Sequence, residues 1–180
     1  VILTEAGRSV LAYADRVADL TAETARALAE LENLERGYLR LGASSTPGLY
    51  LLPPLLAALQ ARYPGVEVAL LLANSQQVAE EVLRGNLDLG FVGALFLPEL
   101  QVRPYTKDEL ALVVAPGHPF SERDAITAAD LAGVTLVVRE TGSGTRRILQ
   151  DELARVGVSP RRLLELNGCE AVKRAAMAGL

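Results

Sequence analysis

The 180 residues contain one cysteine, Cys169, and one histidine, His118. A lone cysteine excludes an internal disulfide and a Cys-x-x-Cys metal site. His118 stands in a Gly117-His-Pro119 turn with no second histidine and no neighbouring cysteine, a poor start for a metal centre. No Gly-x-Ser-x-Gly elbow occurs, so a serine triad has nothing to form around. Gly142-Ser-Gly-Thr145 lacks the Gly-Lys-Ser/Thr ending of a Walker loop. No run of eighteen apolar residues is long enough to span a membrane. Basic residues are outnumbered: the net charge is −4 and the pI near 5.1, which argues against a nucleic-acid surface on this stretch of chain. The first residues, Val-Ile-Leu-Thr, carry neither a start methionine nor a signal peptide. The expectation is an intracellular, cytoplasmic piece of something longer. The last residues, Met177-Ala-Gly-Leu180, read as a helix–turn and point the same way.

Proline is also missing from residues 5–36, where Gly7 is the only glycine. Thr4 is a candidate N-cap and Gly37 a candidate stop. Leu3, Val10, Val17, Thr24 and Leu31 fall at heptad position a, and Ala6, Tyr13, Leu20, Ala27 and Leu34 at position d. Only Thr24 among these ten is not apolar or aromatic, so the seam is regular over roughly 50 Å at 1.5 Å per residue. A stripe so long and narrow suits pairing between subunits better than burial on a small domain, and Val10, Val17, Leu20 and Leu31 are its candidate contacts. The acidic surplus on this helix makes it a poor DNA reader.

From Tyr38 the pattern alternates between strand and helix. Residues 38–41, 66–72 and 87–92 read as strands of a covered parallel sheet, with helices over 55–63 and 74–84 between them. Pro53 and Pro54 are expected to hold the first of these helices to residues 55–63. Ligands of such sheets sit beyond the carboxyl ends of the strands. Those ends fall at residues 44–46, 73–75 and 92–94. Ser44, Ser45 and Thr46 are three consecutive hydroxyls at a helix start, a candidate anion or carboxylate cradle; the competing reading is a simple helix cap.

The second half repeats the theme. Residues 100–105 and 110–114 read as two strands, 128–132 as a short helix, 134–138 as a strand, and 141–146 as a small-residue loop opening a helix to about Val156. A further strand at 163–166 and helix at 170–178 follow. Residues 105–107 are a candidate hinge between two lobes, 37–105 and 106–180. Two such mouths facing one another would enclose a small polar ligand. Arg146 and Arg147 could bind an anion, with one of them expected to be a solvated surface charge. Cys169, at a helix start, reads as a packed small residue rather than a reactive thiol.

The order and spacing of Leu3-Thr-Glu-Ala-Gly7, Leu39-Arg-Leu-Gly42, Leu52-Pro-Pro54, Arg62-Tyr-Pro64, Leu83-Arg-Gly-Asn-Leu-Asp-Leu-Gly90 and Glu170-Ala-Val-Lys-Arg-Ala175 resemble the LysR-type transcriptional regulators. The resemblance covers essentially the whole chain. It implies an α/β fold: a long dimerising linker helix over 1–36, then a two-lobed domain similar to periplasmic binding proteins. Residues 1–4 would be the end of a winged helix-turn-helix, and the last strands of the second lobe would lie beyond Leu180. The resemblance further implies a small, anionic effector held between the lobes, with no cofactor. Carried over by position, the effector residues are Ser44, Ser45 and Thr46, then Gly93, where some members have threonine, and Ser143, Gly144 and Thr145. Pro47 stands where some members are polar. The implied partners are a second copy, in a dimer or tetramer, and DNA through the helix-turn-helix. A periplasmic-type solute-binding protein for a small anion would share the cleft but has no need of the heptad helix. An enzyme would need a catalytic group or a cofactor lysine in the cleft, and Lys107 and Lys173 fall outside the expected mouths.

Overall fold

The computed structural model describes residues 4–31, 37–94 and 97–180, with the side chains at 27 and 29–31 outside the description. Within these residues the chain forms two compact units: Val1–Arg40 with Pro53–Ala69, and Leu41–Leu52 with Leu70–Leu180.

The first unit is led by α1, Glu5–Leu31. Thr4 caps it as its position suggests: the Thr4 hydroxyl accepts from the N–H of Gly7 at 3.1 Å and the Thr4 carbonyl from that of Arg8 at 2.9 Å. With no proline and no interior glycine after Gly7, nothing interrupts the ladder. Thr21 and Thr24 turn their hydroxyls back onto the carbonyls of Val17 and Leu20, each at 2.8 Å, so neither breaks it. Residues 32–36, at the expected end of this helix, lie outside the described residues. Gly37, the candidate stop, is the first residue of β1, Gly37–Ala43.

Helix α2, Leu52–Arg62, contains Pro53 and Pro54 rather than starting after them. The expectation fails because proline is tolerated in a first turn, where an N–H has no partner to lose. A wide π-helical turn over Pro47–Leu51 leads into α2, joined to it by the bond from the Leu52 N–H to the Pro47 carbonyl. Helix α2 ends at Tyr63-Pro64-Gly65, and β2, Val66–Leu72, follows. The first residues of β1 and β2 belong to the first unit, where the Gly37 N–H reaches the Gly65 carbonyl at 3.4 Å. Their last residues belong to the second, where the Ala73 N–H reaches the Ala43 carbonyl at 3.1 Å.

In the second unit, α3 (Ser75–Leu83) is followed by β3, Leu89–Phe91, shorter than the strand expected over 87–92. The strand order is β2-β1-β3, and β1 and β3 run parallel with Gly42 opposite Gly90. That glycine pair makes a seat for α3. A Cβ on Gly42 or Gly90 would come within 2.8 Å and 2.7 Å of Cγ1 of Val78, which is completely buried. A larger residue at either position would force the Val78 side chain, and α3 with it, to shift. Leu41, Ala43, Ala79 and Leu87 complete this core.

A second sheet pairs β4 (Thr135–Arg139) with β5 (Arg162–Leu166) in parallel, Val137 opposite Leu164. Helices α4 (Gly144–Arg155) and α5 (Cys169–Met177) pack on β4. Leu136, Val138 and Ala175 form the core of this layer. The two strands expected over 100–105 and 110–114 are absent: the backbone there is irregular. Their apolar and β-branched residues favour extension, but a strand exists only through a ladder partner, and none of the described strands pairs with them. Leu110, Leu112 and Val113 stay about half exposed in consequence.

Candidate functional site

The strand ends of the first sheet are tied together. The Ser44 N–H donates to the Phe91 carbonyl at 2.9 Å, the Ala73 N–H to the Ala43 carbonyl, and the Ser75 hydroxyl to the Gly93 carbonyl at 3.1 Å. Residues 44–46, 73–75 and 92–94 therefore meet at one end of the sheet, as parallel topology requires.

Three helix starts open there, and they differ in what they have left to offer. At the first, Ser45 and Thr46 are already helical, and the Gly48 N–H bonds the Ser44 carbonyl at 2.9 Å. Among the described residues the hydroxyls of Ser44, Ser45 and Thr46 have no hydrogen-bond partner. Ser44 is buried, while Ser45 and Thr46 are half-buried. Pro47 removes one backbone donor from this turn.

The start of α3 is largely occupied. Asn74 and Gln77 form a capping box, with bonds of 3.0 Å and 3.2 Å, and the Gln76 N–H donates to the Gly142 carbonyl at 3.1 Å. The Asn74 side-chain amide also reaches the Thr141 carbonyl at 3.4 Å. The loop after β4 is thereby held against α3.

The start of α4 is open. Ser143 occupies the cap position and is buried, yet its side chain makes no capping bond. Gly144 follows, pressed against the main chain at Gly93. Thr145 is exposed. Arg146 is half-buried, with Nε and Nη1 wholly buried and without a hydrogen-bond partner. Arg147 is the solvated member of the pair, exposed and 3.9 Å from Asp151.

Two cavities border α4. The smaller, about 220 Å³, is lined by Gln76, Ala94, Ser143, Gly144, Arg146 and Arg147, among others. Ala94 holds a positive φ of 49°, a conformation alanine adopts at a cost. The larger, about 560 Å³, lies between residues 110–115 and β4 and is walled mainly by aliphatic side chains, with Thr145, Arg139 and Arg146 among its few polar members. Aliphatic walls offer little to an anion, so size does not make the larger cavity the better candidate. The structure brings Ser143 and Gly144 to the small cavity and Thr145 to the large one; Ser44, Ser45, Thr46 and Gly93 line neither.

Two charged clusters near these elements escaped the reading of the sequence. Arg139 and Glu140, both nearly buried, form a two-point pair at 2.8 Å and 2.7 Å, and Glu140 also accepts the Gly168 N–H before α5 at 3.2 Å. The Arg139 guanidinium holds the Glu140 carboxyl below its ordinary value, against the opposing effect of burial. Tyr50 donates to Glu170 and accepts from Lys173 at 2.6 Å, while Lys173 also pairs with Glu170. Adjacent opposite charges are visible in a sequence, but a phenol 120 residues away is not. His118 has a local role, its Nδ1 accepting the Phe120 N–H at 3.1 Å. Among the described residues no group of acidic, cysteine or histidine side chains could hold a metal, and no helix is long and apolar enough to cross a membrane.

Parallel strands ending in hydroxyls and helix starts define an α/β domain of the kind that takes small ligands at its strand ends. The chain belongs to the LysR substrate binding domain family, whose model matches residues 32–180. It is 37% identical over 99% of its length to a protein of Nostoc sp. described as "Probable RuBisCO transcriptional regulator", covering 55% of that protein, and 38% identical to the corresponding protein of Porphyra purpurea, covering 58%. The chain thus spans a little over half the length of the curated relatives it matches. Among solved structures it resembles the regulatory domain of Synechocystis CcmR in complex with 2-PG, at 30% identity and a TM-score of 0.71 over 78% of this chain and 68% of that one. Full-length CbnR complexed with its target DNA shares the fold, with a TM-score of 0.68 over 99% of this chain and 63% of that one at 24% identity. The α/β fold with a long leading helix is that of LysR-type regulators, as the sequence resemblance implied.

Proposed function

We propose that this chain is the effector-sensing and dimerising portion of a cytoplasmic LysR-type DNA-binding transcriptional regulator, and that its effector is a small anionic metabolite. The observation that carries the reading is the family match across residues 32–180 together with the meeting of three strand ends, two of them bearing hydroxyls, beside an uncapped α4. Helix N-termini and hydroxyls favour an anion over a neutral or cationic ligand. The 2-PG bound to the CcmR regulatory domain has this character.

In this reading Ser44, Ser45 and Thr46 present one set of donors, and Ser143, Gly144 and Thr145 the other, with Gly93 between them. The seam of α1, with Val10, Val17, Leu20 and Leu31, pairs with a second copy to make a dimer, which can pair again into a tetramer. DNA is contacted by a helix-turn-helix outside this chain. Residues 37–105 and 106–180 act as the two lobes, and effector binding biases their arrangement; only differential affinity for the two arrangements can pass a signal to α1. The solute-binding alternative has less support, because the curated relatives are regulators and α1 has no part in transport. No residue here is assigned a catalytic role.

The test uses the gene product that carries this chain. Its binding to DNA upstream of its own gene is measured with and without a panel of small organic and phosphorylated acids. An acid that shifts DNA affinity supports the reading. DNA binding that no acid alters, or no DNA binding at all, overturns it.

A further inference from the structure

We propose that Tyr50, Glu170 and Lys173 form a latch that ties the turn after Ser44–Thr46 to α5 and weights the arrangement in which the helix starts meet. This rests on the effector-sensing reading and names a device that sets its threshold.

The latch begins with an irregular turn. Pro47–Leu51 is π-helical, wider than an α-turn, and stands between the hydroxyls of 44–46 and α2. Such turns are rare and recur at functional sites. This one carries Tyr50, a large aromatic residue left half exposed. Its phenol is nonetheless engaged on both sides: it donates to the Glu170 carboxylate and accepts from Lys173 at 2.6 Å. A phenol has a single proton to give, so no second donation is open to it. Glu170 and Lys173 stand one turn apart on α5 and pair with each other, so Tyr50 closes a triangle of bonds. Lys173, and then Tyr50, hold the Glu170 carboxyl below its ordinary value, and Glu170, then Tyr50, hold the Lys173 ammonium above its own. Both partners of the phenol therefore stay charged at neutral pH.

A second row of contacts joins the strand ends of the first sheet to the loop after β4, within the same compact unit. The Gln76 N–H donates to the Gly142 carbonyl, the Asn74 amide reaches the Thr141 carbonyl, and Gly144 presses on the main chain of Gly93. Helix α5 is wired to this row. The Gly168 N–H, immediately before α5, donates to the carboxylate of Glu140, the residue that precedes Thr141. A displacement of α5 is thus passed to 141–144 through Glu140. The two rows differ in strength. The main-chain row includes buried Ser75, Ser143 and Gly144, whereas Tyr50, Glu170 and Lys173 are open to water. An exposed ion pair shifts an equilibrium by a few-fold at most. That size suits a threshold, because it weights one arrangement without locking it against a ligand's own preference.

The experiment compares the gene product that carries this chain with its Tyr50→Phe, Lys173→Met and Lys173→Arg forms. Hydrogen–deuterium exchange is followed in peptides covering residues 73–78 and 169–177. Tyr50→Phe keeps the ring and removes both bonds, so it leaves the packing of the turn alone. Exchange of the Gln76 amide, whose acceptor is Gly142, should quicken about 2–5-fold in Tyr50→Phe and in Lys173→Met. Lys173→Arg, which keeps a charged donor for the phenol, should stay within about 1.5-fold of the parent. A purely local role for Tyr50 would loosen α5 and leave residues 73–78 untouched. Faster exchange confined to 169–177, or parent-like exchange at Gln76 in Tyr50→Phe, therefore overturns the latch. Where an acid of the panel alters DNA binding, its midpoint should rise in Tyr50→Phe, and a fall would show that the triangle opposes the effector-bound arrangement and overturn the proposal. An acid-dependent DNA response with no change at Gln76 would overturn the latch and leave the sensing reading standing. Faster exchange at Gln76 in a protein whose DNA binding no acid alters would do the reverse.

Discussion

The Cα of Gly144 faces the carbonyl of Gly93 so closely that a Cβ at position 144 would lie 1.9 Å from the oxygen. Two main-chain segments, the end of β3 and the start of α4, are therefore in direct contact, with the bond from Ser75 to the same Gly93 carbonyl alongside. The obstacle is backbone, which cannot swing away as a side chain can. Gly144→Ala is expected to cost about 1–3 kcal/mol, the range for overpacking a close contact. Gly133→Ala, where nothing lies within 4 Å, is the control and should be nearly neutral. Urea denaturation of both variants checks this; equal midpoints would show that the contact yields freely.

The Arg139–Glu140 pair predicts an acid-sensitive second sheet. The folded pKa of Glu140 is depressed below its ordinary 4.5. Across the window from 4.5 down to the folded value, the unfolded chain binds more protons than the folded one, so stability falls with acid. The contribution is complete above about pH 4.5 and is lost as pH drops through the folded pKa. Glu140→Gln should flatten this limb of the stability curve. Glu140→Ala, which leaves a nearly buried Arg139 alone, should cost about 3–5 kcal/mol at neutral pH. Melting temperatures from about pH 7 to about pH 3 test both, and an acid limb unchanged in Glu140→Gln would assign it to other carboxylates.

Much of this architecture is legible in the residues. Strands β1, β4 and β5 and helices α3, α4 and α5 announce themselves through apolar runs, glycine and proline punctuation and the Asn74 cap. Pro53 and Pro54 mislead, because a proline that breaks a helix interior is harmless in its first turn. The apolar run over 110–114 misleads for another reason: it records a preference for extension, and no local signal says whether a partner strand is present. At the site, the hydroxyls of 44–46 and 143–145 are visible as types of residue beside expected helix starts. What separates Arg146 from Arg147 is not, since adjacent arginines differ only by the side of α4 they occupy and by what packs there. The same holds for Gly42 and Gly90, whose pairing emerges only once β1 and β3, far apart in the chain, are in register.

Along α1, Val10, Tyr13, Val17 and Leu20 are between 61% and 68% exposed, and Leu28 stands beside them at 60%. The side chain of Leu31 lies outside the described ones. A stripe of this size facing water is expected to serve as a partner surface. Each buried side chain of this kind contributes roughly 1.5–3 kcal/mol. Val17→Glu combined with Leu20→Glu is expected to weaken self-association by at least ~100-fold, because charge would be buried without a partner. Sedimentation equilibrium of the chain decides it: association as tight as the parent's would remove α1 from the interface.

The hydroxyl cradle makes the last prediction. Thr46 is half-buried at the first helix start, and Thr145 is exposed in the first turn of α4. Neither start has a side-chain cap, so neither threonine has its hydroxyl committed to the local backbone as a cap would. Valine preserves the branched shape and removes the donor. If both threonines hold the effector, Thr46→Val and Thr145→Val should each lose about 1–3 kcal/mol of binding, the cost of leaving a ligand oxygen unpaired. Neither should change ligand-free stability much, since no internal bond is lost. Calorimetric titration with the tightest-binding acid of the panel separates the cases. A loss in both variants makes the cradle two-sided, spanning strand ends of both sheets. A loss in Thr145→Val alone places the effector at the start of α4 and away from residues 44–46. Unchanged affinity in both returns Ser44, Ser45, Thr46 and Thr145 to the role of ordinary helix-start residues.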